Sequence, residues 1–376
     1  MDYVTLGNTG LRVSRLALGT MTFGDDWGWG ADDSVSRQIF DAYVDAGGNL
    51  FDTADLYTNG RSEEMLGRFV RDAGLRDRAV IATKFSYNAA PGDPNAGGNG
   101  RKNILRAVEG SLRRLGTDFI DLYILHTWDR LTPADEVMRT MDDLVRSGKV
   151  RHIGLSDVPA WYAARAQTLA ELRGLERLST LQLEYNLTER SIEDEFVDLA
   201  TRHGMGLMVW SPLASGVLSG KYRPGAGGTT GDGRLKTTAG SGNPAFEKLT
   251  PRNFEIVAEL EKVANALGRS MAQVAVNWVA NRPGVSTVLV GATKLHQLED
   301  NLGALDFEIP ADLRRRLDAV SARPKHFPYT FFGPEIQGMI HGGVTVGPHH
   351  GAFHPDRTIS GAGSGVGQDS QETHND

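Results

Sequence analysis

The sequence contains no cysteine. Disulfide bridges, thiolate catalysis and cysteine-based zinc sites are therefore excluded, and the composition suits a reducing compartment such as the cytoplasm. Apolar runs stay far below the roughly 20 residues that a membrane-spanning helix needs. The first residues also lack the basic and apolar regions of a signal peptide. We therefore expect a soluble cytoplasmic protein with no membrane partner.

An excess of positive charge is also missing. The 376-residue chain carries 40 Lys and Arg against 47 Asp and Glu, a net charge of −7, and shows no basic stripe. Nucleic-acid-binding surfaces are positively charged because they neutralise phosphates, so no nucleic-acid partner is expected. Hydrophobic residues make up 40% of the chain, which is typical of a globular protein. A chain of this length could form a single large barrel domain.

Short apolar runs alternate with segments of helical periodicity along the chain. The runs are rich in Val, Ile, Leu and Tyr without in–out alternation, as expected for parallel strands covered on both faces. They lie at 16–20, 49–53, 79–84, 121–126, 150–156, 180–186, 206–212 and 286–292. Eight strand–helix units predict an α/β protein with a closed (β/α)8 TIM barrel. A doubly wound open sheet is the alternative, and the lack of a G-x-G-x-x-G string weakens it.

Three segments fall outside this alternation. The opening "VTLGNTGLRVSRL" predicts an N-terminal β-hairpin. Residues 223–253 form a long Gly/Thr-rich loop after the seventh strand, which is expected to be functional or disordered. The Gly/Ser-rich residues 348–376 are predicted to be a disordered or loosely docked tail behind a barrel domain of residues 1–347. The tail's "HHGAFH" (349–354) could bind a metal, but we favour a plain tail and predict no metal site.

Polar residues stand at the ends of consecutive predicted strands. Asp52 ends the second strand, Lys84 the third and His126 the fourth. Each has a structural alternative: Asp52 could cap a turn, Lys84 could reach solvent, and His126 could be a packed histidine. In a barrel, however, the carboxyl ends of the strands converge on the face that carries active sites. Together the three residues predict a catalytic site.

Tyr57 follows Asp52 closely and completes a proton-donating set. A tyrosine hydroxyl has a pKa of about 10, and a nearby ammonium lowers that value. We predict that Lys84 supplies the ammonium, that Asp52 keeps it protonated, and that Tyr57 then acts as a general acid. His126 would orient the incoming oxygen. Such a set protonates a developing alkoxide, so a nicotinamide cofactor is the expected source of hydride.

The motifs along the chain resemble those of the aldo-keto reductases, most closely the aryl-alcohol-dehydrogenase-like branch. The resemblance covers roughly residues 3–345 and rests on "LGNTGLRVSRLALGTMTFG", "FDTADLYTNGRSEEMLG", "IATKF", "DLYILH", "GKVRHIGLSD", "LQLEYNL", "WSPLASGVLSGKY" and "VGATKLHQLEDNL". It implies a (β/α)8 barrel that uses NADPH. It also implies a catalytic tetrad of Asp52, Tyr57, Lys84 and His126.

The resemblance also implies which residues bind the cofactor. Positions for the nicotinamide carboxamide are Ser156 and Gln182, with Asp157 where many members have Asn, and Trp210 would stack on the ring. The pyrophosphate positions and their loop are Ser211, Leu213, Ser215, Gly216, Leu218 and Lys221. The segment from Gly291 to Asn301 would surround the adenosine and its 2′-phosphate at a helix N-terminus. Thr293 and Gln297 replace an arginine that often binds this phosphate, which leaves Lys294 as the nearby cation.

Aromatic residues near the predicted catalytic face indicate the substrate. Trp27 and Trp29 follow the first strand, Phe85 follows Lys84, and Trp128 follows His126. An aromatic-lined pocket favours an apolar or aryl carbonyl substrate, although these rings could instead pack loops against the rim. The expected function is NADPH-dependent reduction of an aldehyde or ketone. The alternatives are a cofactor-binding regulatory subunit with little turnover and an unrelated, metal-dependent barrel hydrolase.

Overall fold

The barrel is preceded by a two-stranded hairpin. In the computed structural model, which describes residues 1–225, 228–231, 233–238 and 246–344, strands β1 (Tyr3–Thr5) and β2 (Arg12–Ser14) pair antiparallel. Leu6 and Val13 are fully buried against the side chains inside the barrel. The hairpin therefore closes the end of the barrel at which the strands begin.

Eight parallel strands form a closed barrel, as the sequence predicts. They are β3 (Leu16–Gly19), β4 (Leu50–Asp52), β5 (Val80–Phe85), β6 (Ile120–Leu125), β7 (Val150–Ser156), β8 (Leu178–Glu184), β9 (Gly206–Trp210) and, after two short strands, β12 (Val285–Val290). The short pair, β10 (Arg223–Gly225) and β11 (Gly228–Thr230), is antiparallel and lies in the loop after β9. The last barrel strand pairs with the first, which closes the barrel.

Most helices cover the outside of the barrel. Those before the loop after β9 are α1 (Asp33–Asp45), α2 (Arg61–Asp72), α3 (Arg101–Leu115), α4 (Ala134–Arg146), α5 (Ala160–Arg173) and α6 (Phe196–His203). Those from that loop onward are α7 (Arg234–Thr237), α8 (Pro251–Leu267), α9 (Met271–Ala280), α10 (Leu295–Leu302), α11 (Ala311–Ser321) and α12 (Pro334–Ile340). Every helix in the described part of the chain is too short or too polar to cross a bilayer.

The core consists of two layers because strand side chains alternate between the two faces of a sheet. Inside the barrel lie small and medium apolar side chains such as Ala82 and Ile124. Between the sheet and the helices lies a larger layer that includes Phe40 on α1 and Phe51 on β4, whose rings stack with centroids 5.2 Å apart. Alternation therefore decides which residues at the strand ends can face the cleft.

The proposed tail, residues 348–376, lies outside the described residues, as do its histidines at 349–354. The division of the chain into a domain of residues 1–347 and a tail therefore stays a prediction. The long loop after β9 is described in part, and it includes the short helix α7.

Candidate active site

Adjacent barrel strands bring the predicted catalytic residues together. Asp52 is the last residue of β4, Lys84 lies in β5, and His126 directly follows β6. Asp52 is in register with Ala82, and Lys84 is in register with Ile124, so all three lie near the carboxyl ends of neighbouring strands.

The loop after β4 carries Tyr57 back over the barrel. Tyr57 begins a single 3₁₀ turn, Tyr57–Gly60, in which Thr58 and Asn59 adopt left-handed backbone angles with φ of 44° and 55°. A β-branched residue such as Thr seldom adopts this conformation, so the turn is strained. The Thr58 hydroxyl donates a 2.9 Å hydrogen bond to the carbonyl of Phe23, which holds the turn in place.

Lys84 is the centre of the site, and its side chain has no exposed surface. Its ammonium lies 2.7 Å from Asp52 Oδ2 and 2.7 Å from the carbonyl oxygen of Thr53, and it donates to the Tyr57 hydroxyl at 3.3 Å. An ammonium has three protons to donate, and three partners receive them here. Lys84 is thus fixed between a carboxylate and a phenol.

Burial and neighbouring charges have opposite effects on the pKa values of Asp52 and Lys84. Burial raises the pKa of Asp52, while Lys84 and the hydrogen bond from Gln182 lower it, and the net direction is upward. Burial alone would lower the pKa of Lys84, but Asp52 and Tyr57 outweigh it and raise that pKa. Lys84 is therefore charged at neutral pH.

The predicted lowering of the Tyr57 pKa is wrong for the free protein. Burial raises the pKa of Tyr57, and the charge of Lys84 offsets this rise without cancelling it. Tyr57 is only 8% exposed, so desolvation of the phenolate outweighs the attraction of one ammonium. Tyr57 consequently holds its proton at neutral pH.

His126 is a neutral imidazole beside Tyr57. The two ring centroids are 5.8 Å apart, edge to face. Burial, together with the charge of Lys84, holds the pKa of His126 well below its usual value. The Nδ1 atom is buried without a hydrogen-bond partner among the described residues.

The sequence interpretation missed the residue that positions His126. Ser86 adopts a φ of 140°, and its hydroxyl accepts hydrogen bonds from the backbone N–H groups of His126 and Thr127 at 3.1 and 3.4 Å. The same hydroxyl donates to Asn99 Oδ1 at 2.7 Å. A serine directly after a catalytic strand was the available signal.

Three of the residues predicted to bind the nicotinamide lie around one part of the cleft. Ser156 ends β7, and its buried hydroxyl lies beside the Asp157 carboxyl without a well-formed hydrogen bond in the described structure. Asp157 follows it and accepts a 3.2 Å hydrogen bond from the indole N–H of Trp210, which ends β9. Gln182 makes a contact that the prediction did not include, because its Nε2 donates to Asp52 Oδ1 at 2.7 Å. Gln182 therefore also supports the Asp52–Lys84 pair.

The loop after β9 brings several other predicted cofactor residues together. Ser211 Oγ accepts from the backbone N–H of Ser215 at 3.2 Å, and Gly216 has a φ of 93°. A Cβ at Gly216 would lie 2.4 Å from Lys221 Cε, so only glycine lets the Lys221 side chain pass this close to the backbone. Leu213 packs at the edge of the core. Leu218 is a correction: its side chain is fully buried between the sheet and the helices, so that side chain cannot touch a ligand in the cleft.

Arg234, at the start of α7, is a second residue that the sequence interpretation missed. Its guanidinium lies 4.2 Å from the ring centroid of Trp29. Burial lowers its pKa, and the Tyr57 hydroxyl is close enough to raise it in part. Burial lowers the pKa of Lys221, and the charge of Arg234 lowers it further. The cleft thus has two neighbouring cations, and within the described ranges neither forms an ion pair. The basic "RLK" within the Gly-rich loop was the available signal.

The predicted adenosine segment forms the turn between β12 and α10. Gln297 Oε1 accepts from the backbone N–H of Thr293 at 3.0 Å and from its hydroxyl at 3.3 Å, so this glutamine holds the turn. Gly291 and Lys294 are exposed beside it, whereas Asn301 is buried on α10. Lys294 directly precedes the helix.

Three of the four predicted pocket residues lie on loops after strands. The assignment of the fourth, Phe85, to the pocket is wrong. Trp27 and Trp29 contact each other with centroids 5.5 Å apart, and Trp128 packs edge to face on Trp161 at 5.6 Å. Phe85 has no exposed surface and stacks on Tyr123 at 4.9 Å in the outer core layer. Because Lys84 points into the barrel, its neighbour Phe85 must point outward.

Comparison with known proteins identifies the family. The model of the family described as "Aldo/keto reductase family" matches residues 15–322. The chain belongs to the aldo/keto reductase family. It is therefore an oxidoreductase by family, and the members of this family generally use NAD(P)H.

Similar aldo/keto reductases carry different names. One is "Aryl-alcohol dehydrogenase [NADP(+)]" of Phanerodontia chrysosporium, 32% identical over 346 residues, which cover 86% of this chain and 86% of that protein. Another is "Versiconal hemiacetal acetate reductase" of Aspergillus parasiticus, 33% identical over 328 residues, 82% of this chain and 94% of that protein. A third is "Probable voltage-gated potassium channel subunit beta" of Oryza sativa subsp. japonica, 38% identical over 309 residues, 81% of this chain and 92% of that protein.

The residues of the cleft fit a phosphorylated dinucleotide. Two features match a carboxamide and phosphates respectively: the buried Ser156 hydroxyl, and Lys221 and Arg234, which form no ion pair among the residues that the structure describes. In the described ranges no three His, Asp or Glu side chains lie close enough to hold a metal ion.

Proposed function

We propose that this aldo/keto reductase reduces an aldehyde or ketone, carried by an aromatic or apolar substrate, to the alcohol with NADPH. The observation that supports this most directly is the buried chain Asp52–Lys84–Tyr57 beside a neutral His126. A hydrogen-bonded ammonium next to a protonated phenol is suited to donating one proton and holding the phenolate that remains.

In the proposed mechanism, Tyr57 is the general acid. When bound, the nicotinamide supplies the hydride to the carbonyl carbon. Tyr57 transfers its proton to the carbonyl oxygen, and Lys84 stabilises the phenolate. Asp52, itself held by Gln182, keeps Lys84 charged and in place. His126 orients the carbonyl oxygen without competing for the proton, because burial and the charge of Lys84 hold its pKa too low for it to accept one.

The cofactor preference is proposed from the charges of the cleft. Lys221 and Arg234 suit the pyrophosphate, and Lys294 at the start of α10 suits a 2′-phosphate, since a helix N-terminus favours anions. A relative is named as NADP-dependent. We therefore propose NADPH rather than NADH.

The substrate class is proposed from the rim of the cleft. Trp27 and Trp29 form one aromatic wall, and Trp128 lies on the loop after β6. Half-buried indole rings provide large apolar contacts for an aryl or apolar group.

A second candidate function is a regulatory subunit that binds the cofactor and turns over little. The similarity to a protein named as a potassium channel β subunit favours it. The two functions share the fold and the catalytic residues, so turnover distinguishes them.

The test measures NADPH oxidation with a panel of aromatic and aliphatic aldehydes, with NADH in parallel. Tyr57→Phe should reduce turnover by about 10²–10⁴-fold, the usual contribution of a general acid. Tyr3→Phe is the matched control, since Tyr3 lies on the hairpin and donates to the carbonyl of Gly47, away from the cleft.

The outcomes separate the candidates. Turnover that is lost in Tyr57→Phe and kept in Tyr3→Phe supports the reductase. Tight NADPH binding without turnover of any carbonyl supports the regulatory subunit. A protein that binds no nicotinamide cofactor contradicts both.

A further inference from the structure

Asp157 is an unusual group for the nicotinamide end of the cleft. It directly follows β7, next to Ser156, and adopts a left-handed backbone with a φ of 45°, which Asp tolerates better than most residues. Its carboxylate accepts the indole N–H of Trp210 at 3.2 Å. Residue 157 keeps exposed surface, yet its carboxyl lies among packed atoms that partly desolvate it. With the cofactor bound as proposed, the nicotinamide ring would lie near this carboxyl.

The charge of Asp157 is not neutralised by a neighbour. In the part of the chain that the structure describes, no cation lies within ion-pair distance of it. Lys84 on β5 is close enough to affect it but is bonded to Asp52. Glu184 on β8 adds negative charge and is itself paired with Lys248 at 2.8 Å. The phenol of Tyr87, beyond β5, is neutral because its pKa is raised by burial and by Asp157.

We propose that the carboxylate of Asp157 favours the oxidised nicotinamide over the reduced one, so that this site binds NADP⁺ more tightly, relative to NADPH, than it would with asparagine at position 157. The inference rests on the proposed function, because it requires the cofactor to lie in this cleft. It concerns the equilibrium on the protein: tighter binding of NADP⁺ relative to NADPH makes the bound NADPH a stronger hydride donor, so this carboxylate shifts the bound equilibrium toward NADP⁺ and the alcohol.

The physical reason is the charge of the ring. The oxidised nicotinamide is a cation and the reduced one is neutral, whereas all other parts of the cofactor are the same. A carboxylate near the ring therefore attracts one form and not the other, and in a partly desolvated cleft one unit charge a few ångströms away changes the affinity ratio by roughly ten-fold or more. Asparagine has the same shape and no charge.

The preference should depend on pH. Burial raises the pKa of Asp157 to about 7. The hydrogen bond from Trp210 lowers it, the charge of Glu184 raises it, and the neighbouring Ser156 hydroxyl and the charge of Lys84 lower it. The carboxylate is therefore charged above pH 7, and the preference for NADP⁺ is lost as the pH falls through 7. Binding of the cationic ring favours the ionised carboxyl, so NADP⁺ binding near pH 7 should release protons.

The experiment measures the dissociation constants of NADP⁺ and NADPH by calorimetry between pH 5.5 and 8.5, in buffers of different ionisation enthalpy. In the wild type, the NADPH-to-NADP⁺ ratio of dissociation constants should rise with pH, and NADP⁺ binding at pH 7 should release a fraction of a proton. Asp157→Asn should lower the ratio at pH 8 by roughly ten-fold, abolish its rise with pH, and remove the difference in proton release between NADP⁺ and NADPH binding. Titration of the 2′-phosphate cancels in the ratio, because both forms carry it.

Two further variants complete the design. Asp157→Glu retains the charge and should retain most of the preference. Asp118→Asn removes the same charge just before β6, at the opposite end of the barrel, and should leave the ratio unchanged. A ratio that is the same in wild type and Asp157→Asn at every pH overturns the inference. If the wild type binds neither form, the proposed function itself has failed.

Discussion

Replacing Lys84 with methionine tests whether the buried charge of Asp52 depends on the ammonium of Lys84 for its stability. Methionine has a similar length and no charge. The change leaves Asp52, 2% exposed, with the hydrogen bond from Gln182, and removes the ammonium that bonds the Thr53 carbonyl. Removing one partner of a buried ion pair typically costs about 3–5 kcal/mol of unfolding free energy. We expect a loss in this range at pH 8.

The second charge decides how much of that loss is electrostatic. Asp52→Asn combined with Lys84→Met removes both charges, so the double variant should be more stable than the sum of the single effects by at least about 2 kcal/mol. In Lys84→Met the buried Asp52 carboxyl should have a pKa above its unfolded value. The folded state then binds more protons than the unfolded state, so the deficit should shrink as the pH falls from 8 to 5.5.

The assay is urea unfolding of the four proteins at pH 5.5 and 8, with Lys102→Met as a control for losing an exposed lysine of the same length. Comparing the variants at a fixed pH uses differences in unfolding free energy, which are more secure than absolute values. A loss below about 1 kcal/mol in Lys84→Met, smaller than any buried charge should cost, would refute the reasoning. So would single effects that simply add in the double variant.

Two further predictions follow from burial. Phe85→Ala should lower the unfolding free energy by about 3–5 kcal/mol, the usual range for a buried aromatic. It should leave the KM for an aryl aldehyde nearly unchanged, because Phe85 packs on Tyr123 and not in the cleft. A raised KM with little loss of stability would show instead that Phe85 lines the pocket. His126→Gln should flatten the acid side of the stability profile. The pKa of His126 is lower in the folded state than in the unfolded state, so wild-type stability should fall below about pH 6.5, and urea midpoints of the two proteins between pH 5 and 7 would show whether it does.

The fold could be predicted because its signals are local. Apolar runs without alternation indicate parallel strands, and the turn at Asn8, Thr9 and Gly10 indicates the hairpin. The eight runs agree with the eight barrel strands to within a few residues at each end. The positions of Asp52, Lys84 and His126 at neighbouring strand ends followed from the same topology.

Side-chain direction was the first limit of the sequence interpretation. Phe85 was assigned to the pocket because it follows Lys84, yet consecutive residues of a strand face opposite sides. Strand alternation, applied from Lys84, would have placed Phe85 outside the barrel. Leu218 had no such signal, because its burial depends on how the segment Ala214–Ser219 packs between the sheet and the helices.

Contacts distant in sequence were the second limit. Gln182 and Asp52 are 130 positions apart, and no periodicity in the sequence relates them. Arg234 likewise lies above Trp29 because of the path of the loop after β9. The basic "RLK" marks a cation in that loop, but the sequence does not indicate which ring it contacts.

The Tyr57 pKa shows how burial changes a chemical argument made from residue types. The sequence predicts an ammonium near a phenol, and that pair alone lowers the phenol pKa. In the folded protein burial has the larger effect, and Tyr57 remains protonated. This state suits a proton donor, because the group must hold its proton until charge develops on the substrate oxygen. The charge of Lys84 then contributes most when the phenolate forms, since the ammonium is already in place and needs no reorganisation.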